Sequence, residues 1–373
     1  VSFVLYSLPV FWVAVLLKQY LAIGLNDFLN NPAVNWPLVI AFCLLAGLFW
    51  AGALGGTWRK RLAVFGASAA VTFGVLCLIL LTGWLEHPSI GVVGLVVLGA
   101  AAAITVTLLL AGLSNKRALY SALTTAAVGV AVYFPLDWFF DAYYVDWSWI
   151  FGLLAAAIAA GLLIGWLFGG PDRGVSMRGA AIVSLVMGVL VFADQVLKAY
   201  PAYYASGVVK GRPIATIGAM TPNLNGDFWT SQLDRFTHSL LPTVALVLIS
   251  FASYTRYQRG SMLEVMSQDY IRTARAKGLP ERIVVMRHAL RNALMPLAAI
   301  IPVDLVSLIG GAVITETIFG WSGMGKLFID SMKHSEAAPV MAYVVLTGLV
   351  AMAANLLADF LYALLDPRIR VNA

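Results

Sequence analysis

Ten long apolar runs constrain the fold more than any other feature of the chain. Each is close to the roughly 20 helical residues that cross a bilayer core about 30 Å thick. Only 11% of the 373 residues are charged, against about 25% in soluble domains, so composition excludes a soluble protein with an oversized core. The chain is therefore predicted to be an all-α, polytopic membrane protein with about ten transmembrane helices. The runs lie at about 3–22, 37–56, 62–84, 91–113, 118–136, 149–168, 179–197, 237–257, 292–315 and 338–364.

The loops between the runs predict one consistent sidedness. Basic clusters follow the second, fourth, sixth, eighth and tenth runs, whereas acidic residues such as Glu86 and Asp146 occupy the intervening loops. Positive charge marks cytoplasmic loops. Both chain ends are therefore expected in the cytoplasm of a multi-pass cell-membrane protein. The net charge of +6 is explained by these loops, and no basic arm or recognition motif indicates nucleic-acid binding.

Two other kinds of site are not expected. Cys43 and Cys77 each lie inside an apolar run and form neither a disulfide framework nor a metal-ligand pattern. The four histidines are scattered over different loops without the spacing of a zinc site. No metal, bound cofactor or catalytic constellation is predicted, so the chain is not expected to be an enzyme.

A long basic loop, about 258–291, separates the eighth and ninth runs on the cytoplasmic side. Helical spacing from Met262 to Ala274 predicts one short amphipathic helix that ends at Gly278, because Gly suits a helix terminus. A plain topological loop, or one that touches anionic headgroups, is the alternative. The small residues Ala274, Ala276 and Gly278 instead indicate a knob on which a cytoplasmic partner docks.

The run from Asp269 to Pro296 resembles the coupling segment of ABC-type import permeases of the dipeptide, oligopeptide and nickel branch. Of the family's E-A-A-x-x-x-G core, the second Ala and the Gly match as Ala274 and Gly278, whereas Arg272 and Thr273 replace the first two residues. The branch's own version is similar to DYxRTARAKGL. Within this run HALRNALMP (288–296) also resembles the branch, and so do GGAVITETIFGWSGMG (310–325) and NLLADFLYALLDPRIR (355–370). The external stretches TIGAMTPNL (216–224) and FWTSQLDRFTHSLLPT (228–243) are similar too, and LYSLPVFWVAVLL (5–17) resembles the start of the family's third span.

The resemblance implies a type I ABC importer permease of a prokaryotic cell membrane. It implies as partners a second related permease, two cytoplasmic ATPases that bind ATP and Mg, and an external substrate-binding protein or lipoprotein. The residues that it assigns to ATPase coupling are Asp269, Tyr270, Arg272, Thr273, Ala274, Arg275, Ala276, Lys277, Gly278, Leu279, His288, Asn292 and Pro296.

The resemblance also predicts a division of the chain. Residues 1–22 match one span of a core that is expected to be truncated at its start, and 198–373 match the rest of the core. Residues 37–197 are predicted to be an inserted region of six spans. An even number of extra spans leaves the sidedness of the later loops unchanged.

The stretch GWSGMGKL (320–327) fits the G-x-x-x-x-G-K frame of a phosphate-binding loop. Leu327 stands where that motif needs Ser or Thr, no strand precedes it, and alternation places it outside the cell. We therefore expect a Gly-rich capping segment near the pore mouth. The predicted pore or gate residues are Asp304, Gly310, Gly311 and Glu316; a buried structural pair for Asp304 and a capping role for Glu316 are the alternatives.

Three functions are open at this point. The first is the permease of an ATP-driven di- or oligopeptide importer, and the second is the same machine for nickel or another small solute. The third is a stand-alone proton-coupled secondary transporter that uses Asp304 or Asp359. No inverted repeat with paired broken helices supports that third possibility.

Overall fold

A computed structural model describes residues 7–31, 34–112, 114–170, 173–309 and 312–365. Every regular element in these ranges is helical, which confirms the all-α class. Nine helices of the described part are long and apolar enough to cross a membrane. We number the helices α1 to α15 in chain order.

The first seven helices account for the first seven predicted runs, with ends that differ by a few residues. Helix α1 contains a π-helical segment, Leu17–Ile23, and α5 contains Pro135. The seven helices are α1 Val10–Asn30, α2 Trp36–Leu54, α3 Trp58–Leu81, α4 Gly91–Leu110, α5 Lys116–Ala142, α6 Trp147–Phe168 and α7 Arg173–Lys198.

The later helices differ more from the predicted runs. The eighth run is a 39-residue helix, and the ninth run contains a helix of 15 residues, which spans only about 22 Å at 1.5 Å per residue. The later helices are α8 Tyr200–Ala205, α9 Phe228–Met266, α10 Asp269–Ala276, α11 (281–293, π-helical at Val284–Ala289), α12 Met295–Ile309, α13 Val313–Phe319, α14 Met324–Lys333 and α15 Ala337–Leu365.

The chain divides into two compact units. The first unit comprises residues 1–26, 214–221 and 235–373, and the second comprises 27–213 and 222–234. In the first unit α12 packs on α15, and α13 packs on α1. A small core there joins Ala14, Leu241 and Phe319. The amide of Asn26 is tied to Ile214 by two hydrogen bonds of 2.8 and 3.0 Å.

In the second unit α7 packs against α4, α5 and α6, and α2 packs against α3. Helices α6 and α7 approach each other closely where Gly161 and Gly165 are buried. A Cβ atom on Gly165 would lie 2.5 Å from the Cα atom of Met177. Small residues at four-residue spacing allow membrane helices to pack at this distance.

Candidate functional site

The predicted coupling segment forms a helical hairpin made of α10 and the first part of α11. The prediction of one helix from Met262 to Gly278 is wrong, because α9 continues to Met266 and α10 starts afresh at Asp269. Gln268 between them has extended backbone, with ψ at 149°, and this turns the chain back. Helix α10 ends before Gly278, whose φ is +74°, a conformation that Gly adopts freely.

One face of α10 is buried inside its own hairpin. Ile271 is fully buried and Ala274 is 7% exposed, and both pack with Val284 and Ala289 of α11. The end of α9 covers this cluster with Met262, Val265 and Met266. The three small residues predicted to form the docking knob therefore do not share one face. Ala274 faces inward, one helical turn from Ile271, whereas Ala276 and Gly278 are exposed.

Polar contacts fasten the hairpin at its edges. Arg275 donates to both carboxylate oxygens of Glu281, at 3.1 Å from Nε and 2.7 Å from Nη2. These hydrogen bonds lower the pKa of the Glu281 carboxyl and raise the pKa of the Arg275 guanidinium. The side-chain amide of Asn292 donates to the Tyr270 hydroxyl at 2.8 Å, and this bond joins the first turn of α10 to the end of α11.

The opposite face of α10 is exposed and basic. Asp269 and Arg272 are the i,i+3 neighbours on this face, with 3.5 Å between their charged groups. His288 and Asn292 are half-buried, and Pro296 is exposed at the start of α12. The residues of the predicted coupling set that are exposed are Asp269, Tyr270, Arg272, Thr273, Arg275, Ala276, Lys277, Gly278 and Leu279. A short helix with one anchored face and one free face can enter a groove on another protein.

The segment GWSGMGKL comprises the connection between α13 and α14 and the first turn of α14. Gly320 ends α13, and Gly323 precedes α14. The Glu316 carboxylate accepts a hydrogen bond of 2.9 Å from the Lys326 backbone nitrogen in the first turn of α14. A negative group at a helix N-terminus satisfies free N–H groups and the helix dipole. Glu316 thus occupies the place of an anion and acts as a cap.

The structure describes Asp304 and Glu316 but not the other two predicted gate residues. Gly310 and Gly311 lie outside the described residues. Asp304 is half-buried on α12 and accepts a hydrogen bond of 2.8 Å from the Tyr254 hydroxyl on α9. This contact joins the two helices of the first unit. A pore-lining role for Asp304 stays a prediction.

A buried carboxylate in the second unit, Asp194, is marked by the sequence only as an ionisable candidate near the outer end of an apolar run. Asp194 is fully buried and accepts hydrogen bonds from the backbone nitrogens of Ile90 and Gly91 at 2.7 and 2.9 Å. Its second oxygen accepts a bond of 2.6 Å from Tyr133. Lys198, four residues on, pairs with Asp137. The spacing of Asp194 and Lys198 in an apolar run was the available signal. No group of three His, Cys, Asp or Glu side chains that could hold a metal occurs in the described ranges.

Comparison with known proteins agrees with the resemblance of the motifs. The family described as "Binding-protein-dependent transport system inner membrane component" matches residues 150–371, more than half of the chain. The oligopeptide transport system permease protein OppB of Mycobacterium tuberculosis is 43% identical over 155 residues, which are 42% of this chain and 48% of the relative.

Two further relatives extend this similarity. The oligopeptide transport system permease protein AppB of Bacillus subtilis is 47% identical over 146 residues, 39% of this chain and 46% of the relative. The di/tripeptide transport system permease protein DppB of Pseudomonas aeruginosa is 37% identical over 222 residues, 59% of this chain and 66% of the relative. The chain spans about half the length of the first two relatives that it matches.

Proposed function

The chain belongs to the family of inner membrane components of binding-protein-dependent transport systems, and from this premise we propose that it is the permease subunit of an ATP-driven importer of di- or oligopeptides. The single observation that supports this function best is the α10 hairpin. Its inner face is anchored in the chain, and its basic outer face is free for a partner. The three relatives are named oligopeptide or di/tripeptide permeases, which favours peptides over nickel as the substrate class.

The hairpin is suited to transmit a displacement. Ile271 and the Asn292–Tyr270 bond tie α10 to α11. Only Leu294 separates α11 from α12, and its backbone nitrogen donates to the Leu290 carbonyl at 3.0 Å while its own carbonyl accepts from Ala298 at 3.0 Å. A movement imposed on α10 is thus carried into α12, and through Asp304 to Tyr254 on α9.

In this proposal ATP hydrolysis belongs to other polypeptides. Two cytoplasmic ATPase subunits bind ATP and Mg and close on each other, and their closure moves α10. A second related permease completes the translocation path, and an external binding protein delivers the substrate. Both ends of this chain face the cytoplasm, in agreement with the basic loops. The division into a permease core and an inserted region 37–197 is retained as a prediction; the matched range begins at residue 150, inside that region.

The test uses Ala276→Trp, because Ala276 is exposed on α10 and its replacement leaves the buried cluster intact. Ala338→Trp is the matched control, since Ala338 is exposed in the first turn of α15. Uptake of a labelled dipeptide and copurification of the ATPase subunits are measured for the assembled transporter. We expect both to fall for the Ala276 variant and to persist for the Ala338 variant. Normal uptake and normal ATPase retention in the Ala276 variant would overturn the proposal.

A further inference from the structure

The second unit contains an apolar cavity that the proposed function does not use. The cavity is open on one side, since Phe151 and Val189 of its lining are 63% and 54% exposed. Its volume is about 420 Å³, and it lies between α5, α6 and α7. All of its lining residues belong to residues 125–192 and Trp229, within the second unit. Valine, leucine, alanine, glycine and aromatic side chains make up nearly all of the lining.

Apart from the indole groups of Trp147 and Trp229 at one end, the polar side chains of the lining are Thr125 and Ser184, whose hydroxyl protons are already donated. The Thr125 hydroxyl donates to the Ser121 carbonyl at 2.8 Å, and the Ser184 hydroxyl donates to the Ala181 carbonyl at 2.9 Å. Both hydroxyls are thus bonded to the backbone of their own helices. A peptide or a sugar would lose its hydrogen bonds to water here without replacement, at a cost of at least about 1–3 kcal/mol per group. The cavity therefore favours a ligand that is hydrocarbon over the part that lies inside it.

The size of the cavity suits one hydrocarbon chain. An apolar protein cavity of about 150 Å³ binds benzene, so by proportion 420 Å³ holds about 17 apolar carbon atoms. The lining on α5 runs from Thr125 to Phe140, a length of about 22 Å at 1.5 Å per residue. The lining is therefore long enough to lie along an extended acyl chain.

One end of the cavity is aromatic. The ring centroids of Phe140 and Trp229 are 5.1 Å apart, and Phe192 lies 5.6 Å from Trp229 and 6.0 Å from Trp147. Tryptophan is enriched where the hydrocarbon core meets the headgroups. Asp137 follows Leu136 of the lining, and Lys198 pairs with it. This end is therefore at the depth of the lipid glycerol group, and the other end lies deeper in the bilayer.

From these features we propose that α5, α6 and α7 hold one acyl chain of a membrane phospholipid, with its glycerol end beside Trp147 and its methyl end toward Gly161. The site is independent of the α10 hairpin, so an experiment that refutes the importer function would not refute this lipid site. Its physical effect is to fill the space between α5 and α6 that their side chains leave. Close packing restores dispersion contacts that the lining otherwise lacks.

The test is photolabelling of the full chain in phosphatidylcholine nanodiscs that contain a small fraction of a phospholipid with a diazirine in its acyl chain. Labelled residues are mapped by peptide mass spectrometry. Ala157→Phe and Ala160→Phe place a ring in the cavity, whereas Ala155→Phe adds the same ring to an exposed position of α6 outside the lining. Size-exclusion profiles show which variants are folded.

We expect label on the α5–α7 lining well above that on the lipid-exposed residues of α2 and α3. The label should fall about tenfold in each folded cavity variant, the change that a 1.4 kcal/mol loss of binding produces, and should persist in Ala155→Phe. Equal labelling of the lining and of α2 and α3 would overturn the proposal, as would unchanged labelling in the folded cavity variants. A diazirine-bearing free fatty acid tests the other source of the same chemistry. Displacement of the phospholipid label by that fatty acid would also overturn the assignment to a phospholipid.

Discussion

Replacement of Ile271 by Ala should release α10 from its hairpin. Ile271 is fully buried against Ala274, Val284 and Ala289. Truncation of a buried Ile to Ala costs about 2–5 kcal/mol, and we take about 3 kcal/mol for this site. An isolated helix of eight residues has little stability of its own in water, so the loss acts on the docked state of α10 directly.

The expected magnitude follows from that free energy. Each 1.4 kcal/mol changes an equilibrium tenfold, so the open state of the hairpin should become about 100-fold more populated. Amide hydrogen exchange over 269–279 in the detergent-purified chain measures this population. Exchange there should quicken by about two orders of magnitude, while exchange in α15 stays unchanged. Under the proposed function, a transporter assembled with this variant should keep the ATP hydrolysis of its ATPase subunits and show much less peptide uptake.

Ile283→Ala is the matched control, because Ile283 lies in the same hairpin but is 41% exposed. It should change the exchange of 269–279 by less than about threefold, as expected for a surface substitution that costs under 0.5 kcal/mol. Equal effects of the two variants, or unchanged exchange in Ile271→Ala, would refute the view that α10 is anchored by its inner face.

Three further predictions concern charged side chains. The pKa of Glu281 is lowered by its hydrogen bonds to Arg275, so the stability that this pair gives the hairpin is fully present above the ordinary glutamate pKa. That stability is lost as the pH falls through the lowered pKa of the folded state. Amide exchange over 269–279 should therefore quicken in that pH range, and Glu281→Gln should abolish this pH dependence. Asp194→Ala should destabilise the chain by about 3 kcal/mol, since the buried Tyr133 hydroxyl and the part-buried backbone nitrogens of Ile90 and Gly91 lose their acceptor, and thermal unfolding should show a lower midpoint that exposed Asp141→Ala does not share. Glu316→Ala should cost about 1 kcal/mol as a lost helix cap, and exchange at the start of α14 should quicken about fivefold, whereas exposed Glu336→Ala should leave it unchanged.

The spans could be predicted because the bilayer sets the length and the polarity of each helix. A run such as 338–364 is almost the same as α15, Ala337–Leu365, since few other structures bury that much apolar chain. Helix ends in water are less constrained. The eighth run stops near residue 257, yet α9 continues to Met266, because helix–helix packing in the first unit extends beyond the apolar stretch.

The position of the coupling segment stays a prediction from the sequence, and the two faces of its helix could not be assigned from the sequence. No Pro or Gly marks the break at Ser267 and Gln268, so periodicity merged two helices into one. The inward direction of Ala274 depends on that break. Contacts of Asp194 reach Ile90 and Gly91, more than 100 residues away, and no local pattern predicts pairing at that separation.

The most direct test of the account is the sidedness and the protection of Ala276→Cys. Cys43 and Cys77 are first replaced by Ser, so that the new thiol on α10 is the target. A membrane-impermeant maleimide should leave intact cells unlabelled at this position and should label inside-out vesicles stripped of ATPase subunits. Adding the ATPases back should protect the thiol. Labelling of Ala276→Cys from outside intact cells would contradict the proposal that α10 is the cytoplasmic lever of an ATP-driven importer.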